Sequence, residues 1–279
     1  MSYLDRINEN NNYIESNKIP LYFDSTRVGQ VRDNFLELLL DSSVFEMKNG
    51  VLKLDSRLQN REARDKALNK FAEEMFSKGI TQNYKNEKYP VINKSNNQVL
   101  AFIDRSISTL LGTLSFGQHL NGFVNTPDGL KMWIGRRSYT KDYEAGKLDH
   151  LVAGGLPFDI SPKDNLAKEC YEEAGIKKEL ANRAKSVGLV SYKYEYDLGG
   201  KEDIIYCYDL ELSKDFQPIC TDGEVEEFYL MPIKEVANIV KTTNNFKPNC
   251  NLVIIDFLVR HGYITPEDED YIAIVDGLN

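Results

Sequence analysis

The sequence lacks the closely spaced cysteines that mark most structural zinc sites. Its four cysteines form no Cys-x-x-Cys pair, and we interpret them as reduced, buried, apolar side chains. Long apolar runs are also missing, since no stretch approaches the ~18 residues that a membrane-spanning helix needs. The polar amino terminus has no signal-peptide core. These absences predict a cytoplasmic protein without a membrane partner.

An excess of positive charge is absent too. The chain has 34 Lys and Arg residues against 43 Asp and Glu residues, which gives a formal net charge of -9. Proteins that bind nucleic acids or anionic membranes usually carry a basic patch, so this balance argues against both classes. An acidic protein that acts on an anionic phosphate compound would need a cation as mediator. The 279 residues allow one large domain or two smaller ones.

The first part of the chain has a mixed pattern of helices and strands. Apolar residues at helical spacing predict a helix over residues 31–40. An Asn-Gly turn predicts a hairpin of residues 44–47 with residues 51–54. A long amphipathic helix is predicted over residues 57–78, and a solvated loop over residues 81–97.

From about residue 117 the pattern changes to strands. One predicted hairpin joins residues 120–125 to 130–135, and a second joins residues 192–198 to 203–212 through a Gly-Gly turn. A further strand is predicted over residues 224–231. Strands interrupted by helices favour an α+β fold with helices packed on a mixed sheet. The predicted helices cover residues 162–174, 233–241 and 251–262.

The first of these helices is bounded by characteristic residues at both ends. Ser161 suits the N-cap, Pro162 suits the first helical position, and Asp164 completes a capping-box pattern. Gly175 is the expected C-terminal glycine.

Three carboxylates share one face of this helix. Glu169, Glu172 and Glu173 stand at positions i, i+3 and i+4, so their charges repel one another. The closest cations in the sequence, Lys168 and Lys177, offer no obvious compensation. Such crowding favours protonation of one carboxylate unless a divalent cation neutralises the group, and oxygen ligands suit Mg²⁺ or Mn²⁺. A solvated acidic helix face is the alternative interpretation.

The segment that carries these glutamates resembles the Nudix box. That pattern reads Gly, five residues, Glu, seven residues, Arg-Glu, an apolar residue, any residue, Glu-Glu, any residue, Gly and an apolar residue. Gly154 takes the opening glycine, and the three glutamates take the Glu of Arg-Glu and the Glu-Glu pair. Two positions depart from the pattern, since Lys168 stands in place of Arg and Ile160 in place of the first Glu.

A wider resemblance points to one subgroup of this family. Residues 119–122, 133–138, 141 and 147–155 resemble the thiamine-pyrophosphokinase-related Nudix proteins, in which Lys168 and the absent first Glu are ordinary features. The resemblance implies a smaller α+β accessory domain over residues 1–115. It implies a Nudix hydrolase domain, an α/β/α sandwich with a mixed sheet, over residues 116–279. The implied substrate is thiamine diphosphate, or an oxidised or damaged form of it, cut to the monophosphate.

The resemblance also suggests roles for individual residues. Glu169, Glu172, Glu173 and the carbonyl of Ala153 are the predicted ligands of Mg²⁺, for which Mn²⁺ could substitute. Glu172 and Glu173 are counted as catalytic as well, and Glu224 is the first candidate for a general base, although a charged edge strand is the alternative there. Phosphate recognition is predicted from cationic side chains and from the glycine pair, by Arg137, Lys141, Gly154 and Gly155.

Other interpretations stay open at this point. A Nudix-fold module that binds a nucleotide-like ligand without hydrolysing it is favoured by Ile160. Hydrolysis of another nucleoside diphosphate derivative, or isomerisation of an isopentenyl-type diphosphate, would also use this helix. His119 and His150 are interpreted as structural histidines. The expected partner is a small-molecule diphosphate rather than a nucleic acid, and the sequence leaves the oligomeric state open.

Overall fold

The structure, a computed structural model, describes residues 1–82, 84, 87–141 and 143–279. The elements of the first part are α1 (Tyr3–Asn10), β1 (Lys18–Phe23), β2 (Thr26–Arg32), α2 (Leu36–Asp41), β3 (Phe45–Lys48), β4 (Val51–Leu54), α3 (Arg61–Ser77), β5 (Lys88–Asn93), β6 (Gln98–Asp104) and α4 (Ser108–Leu111). Those of the second part are β7 (Ser115–Thr126), β8 (Gly129–Arg137), β9 (Leu148–His150), β10 (Val152–Gly155), α5 (Pro162–Ala174), α6 (Lys178–Ala181), β11 (Lys185–Tyr196), β12 (Gly199–Glu211), β13 (Val225–Pro232), α7 (Ile233–Thr242), α8 (Pro248–Arg260) and α9 (Tyr271–Asp276).

The first part forms a smaller α+β region, as predicted. Four strands make a sheet in the order β2-β1-β4-β3, in which β1 and β4 run parallel and the other pairs antiparallel. Strands β5 and β6 form a separate antiparallel hairpin. Helix α3 contacts β6, and its Leu68 and Phe71 share one buried cluster with Leu21 and Leu52 of the sheet.

The second part is a sandwich of helices around a mixed sheet. The strand order is β11-β12-β7-β8-β13, with β10 added to β7 and β9 to β8. Strands β12 and β7 run parallel, and the other pairs run antiparallel. Leu166 and Cys170 of α5 belong to one buried cluster with Leu120, whereas Val253 of α8 packs with Met132 in another. The predicted α/β/α sandwich is therefore confirmed, with α5 in one helical layer.

The first helix of the chain packs in the second part rather than the first. Ile7 is 1% exposed and lies in the same cluster as the side chains of α8. Arg6 is also buried, and its Nε donates to the carbonyl of Val240 at 2.8 Å while its NH2 donates to Thr243 at 2.5 Å. Helix α1 thus packs the amino terminus against α7 and α8 of the second part. The predicted domain boundary between residues 115 and 116 stays a prediction.

Two predicted elements of the first part are wrong. The helix over residues 31–40 begins only at Leu36, because Val31 lies in β2 opposite Ile19 with its β-branched side chain fully buried. The segment predicted as a loop over residues 81–97 contains strand β5, whose Tyr89 and Val91 are buried in one cluster with Leu100 and Ile103. Positions 83, 85 and 86 of that segment lie outside the described residues.

The turn of the second predicted hairpin is also displaced. Tyr196 pairs with Gly199, so the turn consists of Asp197 and Leu198, and both glycines lie in β12. Gly199 has a φ of +145°, and a Cβ atom there would lie 2.9 Å from the carbonyl oxygen of Thr109. Glycine is needed at this position for close approach between the two parts, not for a turn.

Several other predictions are confirmed. Asn49 and Gly50 both have positive φ, 54° and 76°, at the tip of the β3–β4 hairpin. Helix α5 has the predicted bounds. Within the described ranges, no helix combines the length and the apolar character that a membrane crossing would require.

Candidate active site

Helix α5 is fixed at both ends by the residues that predict it. The Ser161 hydroxyl accepts from the backbone N–H of Asp164 at 3.1 Å and donates to its carboxylate at 2.7 Å. That carboxylate also binds Lys178, so it does not return to the Ser161 N–H as a full capping box would require. Gly175 ends the helix in the left-handed conformation, with a φ of 65°.

Glu173 ties this helix to the glycine-containing strand. Its Oε2 accepts a hydrogen bond from the backbone N–H of Ala153 at 2.8 Å, and the residue is 7% exposed. Burial raises the pKa of Glu173 well above its ordinary value, against the opposing effect of the Ala153 hydrogen bond. The charges of Asp149, Glu169 and Glu224 raise it further.

Glu169 lies directly against the glycine pair. A Cβ atom added to Gly154 would lie 2.6 Å from Glu169 Cδ and 2.9 Å from its Oε2. Glycine is therefore required here, because any side chain would displace the carboxylate. Burial is the largest cause that raises the pKa of Glu169, and the nearby Lys168 opposes it. Glu169 and Glu173 thus converge on the backbone of strand β10.

A local cation partly compensates this cluster, contrary to the expectation from the sequence. Lys168 Nζ lies 3.3 Å from Glu169 Oε1 and 3.1 Å from Glu172 Oε2. Glu172 stands at i+4 from Lys168, which places the two side chains on one face of the helix. The long lysine side chain also reaches the adjacent Glu169. Glu172 is 38% exposed and lies at the rim of the cluster.

Glu224 approaches the same cluster from the loop before β13. Its carboxylate forms an ion pair with Lys141, and its carbonyl accepts from the backbone N–H of Ser138 at 2.8 Å. The Glu224 charge contributes to the raised pKa of both Glu169 and Glu173, although burial contributes more. The structure therefore brings the candidate general base within electrostatic reach of the predicted metal ligands.

The two cations predicted to hold phosphate have partners inside the protein. Arg137 NH1 donates to Asp149 Oδ2 at 2.9 Å, and its Nε and NH2 donate to the carbonyls of Glu144 and Tyr143. Lys141 is held by Glu224. Both would have to exchange these contacts in order to bind a ligand, and their roles stay predictions.

A second group of potential metal ligands is buried beneath the first. Asp149 and His150 lie just before β10, and the Nδ1 atoms of His150 and His119 are 3.0 Å apart. Cys250 Sγ lies 2.8 Å from Asp149 Oδ1, and one ligand atom from each of the four residues falls within 4.8 Å of the others. The sequence analysis missed this group, because Cys250 stands 101 positions from Asp149 along the chain.

The protein itself supplies partners for most of this second group, although among the described residues Nε2 of His150 has none. Burial lowers the pKa of His150 to about 4 and that of His119 well below its ordinary value, so both are neutral and share a hydrogen bond. Burial alone would raise the pKa of Asp149, but the charges of Lys247 and Arg137 outweigh it and lower that pKa. A divalent ion here would meet both Arg137 and Lys247. The interpretation of the two histidines as structural agrees with this geometry.

The carboxylates on α5 fit a hard divalent cation better. Their oxygens and the adjacent backbone form a donor set of the kind that Mg²⁺ and Mn²⁺ prefer. The raised pKa values of Glu169 and Glu173 mean that the protein does not fully compensate their ionised forms. A bound divalent cation would supply the missing positive charge.

Comparison with known proteins identifies the family. A NUDIX domain model matches residues 121–250, and a model described as a domain of unknown function, DUF4743, matches residues 2–115. Nudix hydrolase 20, chloroplastic, of Arabidopsis thaliana is 41% identical over 92% of this chain and 71% of that protein. Nudix hydrolase 24, chloroplastic, of the same plant is 42% identical over 98% of this chain and 76% of that protein.

Among solved structures, the MutT protein from Methanosarcina mazei Go1 aligns with a TM-score of 0.40 and 18% identity, over 53% of this chain and 95% of that one. Nudix hydrolases generally use divalent metals, which agrees with the carboxylates on α5. The two plant proteins are more than 40% identical over most of this chain, which is enough to show the family. The chain belongs to the Nudix hydrolase family, and it is a hydrolase.

Proposed function

We propose that the protein is a Mg²⁺-dependent hydrolase that cuts the diphosphate bond of a small molecule by attack of water on one phosphorus. Mn²⁺ is the proposed substitute for Mg²⁺. The observation that carries the proposal is the convergence of Glu169 and Glu173 on the backbone around Gly154, with Glu173 anchored to Ala153 N at 2.8 Å. Both carboxylates have raised pKa values in the protein alone, so a divalent cation would stabilise them.

The proposed roles follow from position. The Ala153 carbonyl, Glu169 and Glu173 hold the metal, and Glu172 at the rim is a further ligand or a partner of the ligands. When bound, the metal neutralises phosphate charge and lowers the pKa of water. Glu224, with 47% of its side chain exposed, accepts the proton of the attacking water. Lys141, the ion-pair partner of Glu224, would also contact the substrate phosphate.

The proposed substrate is thiamine diphosphate, or an oxidised or damaged form of it, with the monophosphate as product. The support is the resemblance of residues 119–122, 133–138, 141 and 147–155 to the thiamine-pyrophosphokinase-related Nudix proteins.

The experiment is a hydrolysis panel. The parent protein is incubated with Mg²⁺ and with thiamine diphosphate, its oxidised analogues and several nucleoside diphosphate derivatives, and each monophosphate product is measured. We expect Glu173→Gln to lower kcat by at least about a hundredfold, as loss of an essential electrostatic group usually does. Glu179→Gln, an exposed glutamate on α6, is the matched control and should keep the parent rate.

Two outcomes would contradict the proposal. Hydrolysis by Glu173→Gln at the parent rate would show that the α5 carboxylates are not the metal site. A parent that binds these compounds with Mg²⁺ but releases no product would instead support the binding module suggested by Ile160.

A further inference from the structure

The loop that follows the glycine pair is held by the first part of the chain. The backbone N–H of Phe158 donates to the carbonyl of Lys88 in β5 at 2.9 Å. The Phe158 ring also lies 4.5 Å, between centroids, from the ring of Phe102 in β6. The hairpin β5–β6 therefore supports the segment that connects the metal-binding backbone to helix α5.

Two side chains of this hairpin region reach the glycine pair itself. A Cβ atom added to Gly155 would lie 2.6 Å from the hydroxyl of Tyr89 and 3.4 Å from NH1 of Arg105. Tyr89 is 2% exposed, and the Arg105 guanidinium lies 5.8 Å from the centre of its ring. Arg105 NH1 also donates to Glu87 Oε2 at 3.1 Å. Tyr89 and Glu87 thus hold a guanidinium beside Gly155.

The remaining donors of this guanidinium are available to a ligand. The Arg105 side chain is 45% exposed, and among the described residues its one side-chain hydrogen bond goes to Glu87. Since a guanidinium has five N–H donors, the described residues leave most of its hydrogen-bonding capacity unused. By contrast, Arg137 donates to three partners, and Lys168 is held by two glutamates.

Tyr89 interacts electrostatically with both Arg105 and Glu169. Burial raises the pKa of Tyr89 to about 12, the Arg105 charge opposes this rise, and the charge of Glu169 adds to it. Glu169 contacts Gly154 while Tyr89 and Arg105 contact Gly155. Glu169 and Arg105 thus contact neighbouring residues of one strand, and a diphosphate group that spans the glycine pair would meet both.

We propose that Arg105, contributed by the N-terminal region, binds a phosphate group of the diphosphate substrate from the side opposite helix α5. The inference rests on the proposed function for the nature of the ligand. Guanidinium groups match phosphate oxygens in a two-pronged geometry. Glu87 holds the guanidinium in place and competes with the substrate for it. The N-terminal region is then part of the substrate site.

The test uses imidodiphosphate, an analogue of pyrophosphate that resists hydrolysis, titrated into the full chain with Mg²⁺ by calorimetry. We expect Arg105→Gln to weaken binding by at least about tenfold, the lower bound for loss of a charged hydrogen bond. Glu87→Gln should equal or exceed the parent affinity, because it removes the competitor. Arg105→Lys should lie between parent and Arg105→Gln, since a lysine keeps the charge and loses the fork. Arg27→Gln, an exposed arginine paired weakly with Glu15 at 3.9 Å, is the control.

The expected changes in affinity of Arg105→Gln and Glu87→Gln are opposite in sign, and this difference distinguishes a role in ligand binding from a purely structural role. If the pair only stabilises the fold, both variants lower the melting temperature and the affinity alike, and the inference is overturned. An Arg105→Gln affinity within twofold of the parent also overturns it. A parent that binds imidodiphosphate through Arg105 but hydrolyses nothing supports this inference while refuting the proposed function. Unchanged affinity of Arg105→Gln in a parent that does hydrolyse refutes the inference alone.

Discussion

One group of potential metal ligands includes Asp149 and His150 of β9, and the other consists of α5 carboxylates that contact β10. The two groups differ in how the protein compensates their charge. Asp149, in the buried group with His119, His150 and Cys250, has Arg137 and Lys247 beside it at 2.9 and 3.5 Å. In α5, Glu169 and Glu172 share Lys168. The pKa values of Glu169 and Glu173 are raised, whereas that of Asp149 is lowered.

This difference distinguishes a structural network from a binding site. A buried carboxylate that the fold neutralises with its own cations stabilises the folded state and has little need of an external ion. Carboxylates that the fold gathers without neutralising them are more stable when a cation binds. Donor chemistry alone would favour the buried group, with its cysteine and histidines, as a transition-metal site. Because the protein already compensates the charge of the buried group, we assign the metal site to the α5 carboxylates instead.

The largest expected effect concerns the buried group. Asp149→Asn leaves Arg137 and Lys247 without their counter-charge, so it should lower the free energy of unfolding by about 3 kcal/mol, as breaking a buried ion pair does. Chemical denaturation in EDTA measures this change. Asp215→Asn, in an exposed position, should change it little. If Asp149→Asn lowers the free energy of unfolding by less than about 0.5 kcal/mol, the range of ordinary surface substitutions, then Asp149 is not the counter-charge that Arg137 and Lys247 need.

The second effect concerns Mg²⁺. A cation that binds only the folded protein stabilises it by about 2.7 kcal/mol when its concentration is a hundred times its dissociation constant. Mg²⁺ should therefore raise the free energy of unfolding of the parent, and the increase should disappear in Glu169→Gln. Chemical denaturation with Mg²⁺ and with EDTA measures both. An equal increase in the two proteins would place the ion elsewhere.

The smallest effect is a pH dependence in the absence of metal. Because the folded state raises the pKa of Glu173, its carboxyl is protonated in folded and unfolded chains alike below the ordinary value of 4.5. As the pH rises, the unfolded chain ionises first, so the free energy of unfolding declines until the folded-state pKa is passed. Glu173→Gln removes this contribution.

Unfolding of both proteins in EDTA is therefore measured from pH 4.5 upward. The difference in the free energy of unfolding should move in favour of Glu173→Gln as the pH rises. A constant difference over this range would mean that Glu173 has no raised pKa in the folded protein.

The sequence predicts the α5 cluster well because its determinants are local. The cap at Ser161, the glycine at 175 and the i, i+3, i+4 spacing all lie within one helix. The pairing of Lys168 with Glu172 follows from the same spacing and could have been predicted. Strand β5 is harder to predict, because Pro90 stands inside it and Asn and Lys residues flank it, although its Tyr89, Val91 and Ile92 favour a strand.

The buried group and the Arg105 contact depend on distant parts of the chain. His119 meets His150 from 31 positions away, and Cys250 meets Asp149 from 101. Arg105 reaches Gly155 across the contact between the two parts of the molecule. Periodicity carries no information about such contacts, since they depend on how the sheets and helices pack.

A Mn²⁺ titration followed by electron paramagnetic resonance, on the parent, Glu173→Gln and Cys250→Ala, tests most directly which group holds the ion. We expect Glu173→Gln to weaken Mn²⁺ binding at least about tenfold, a loss of about 1.4 kcal/mol, and Cys250→Ala to bind as the parent does. Binding that is lost in Cys250→Ala and retained in Glu173→Gln would assign the ion to the buried group and refute its assignment to the α5 carboxylates.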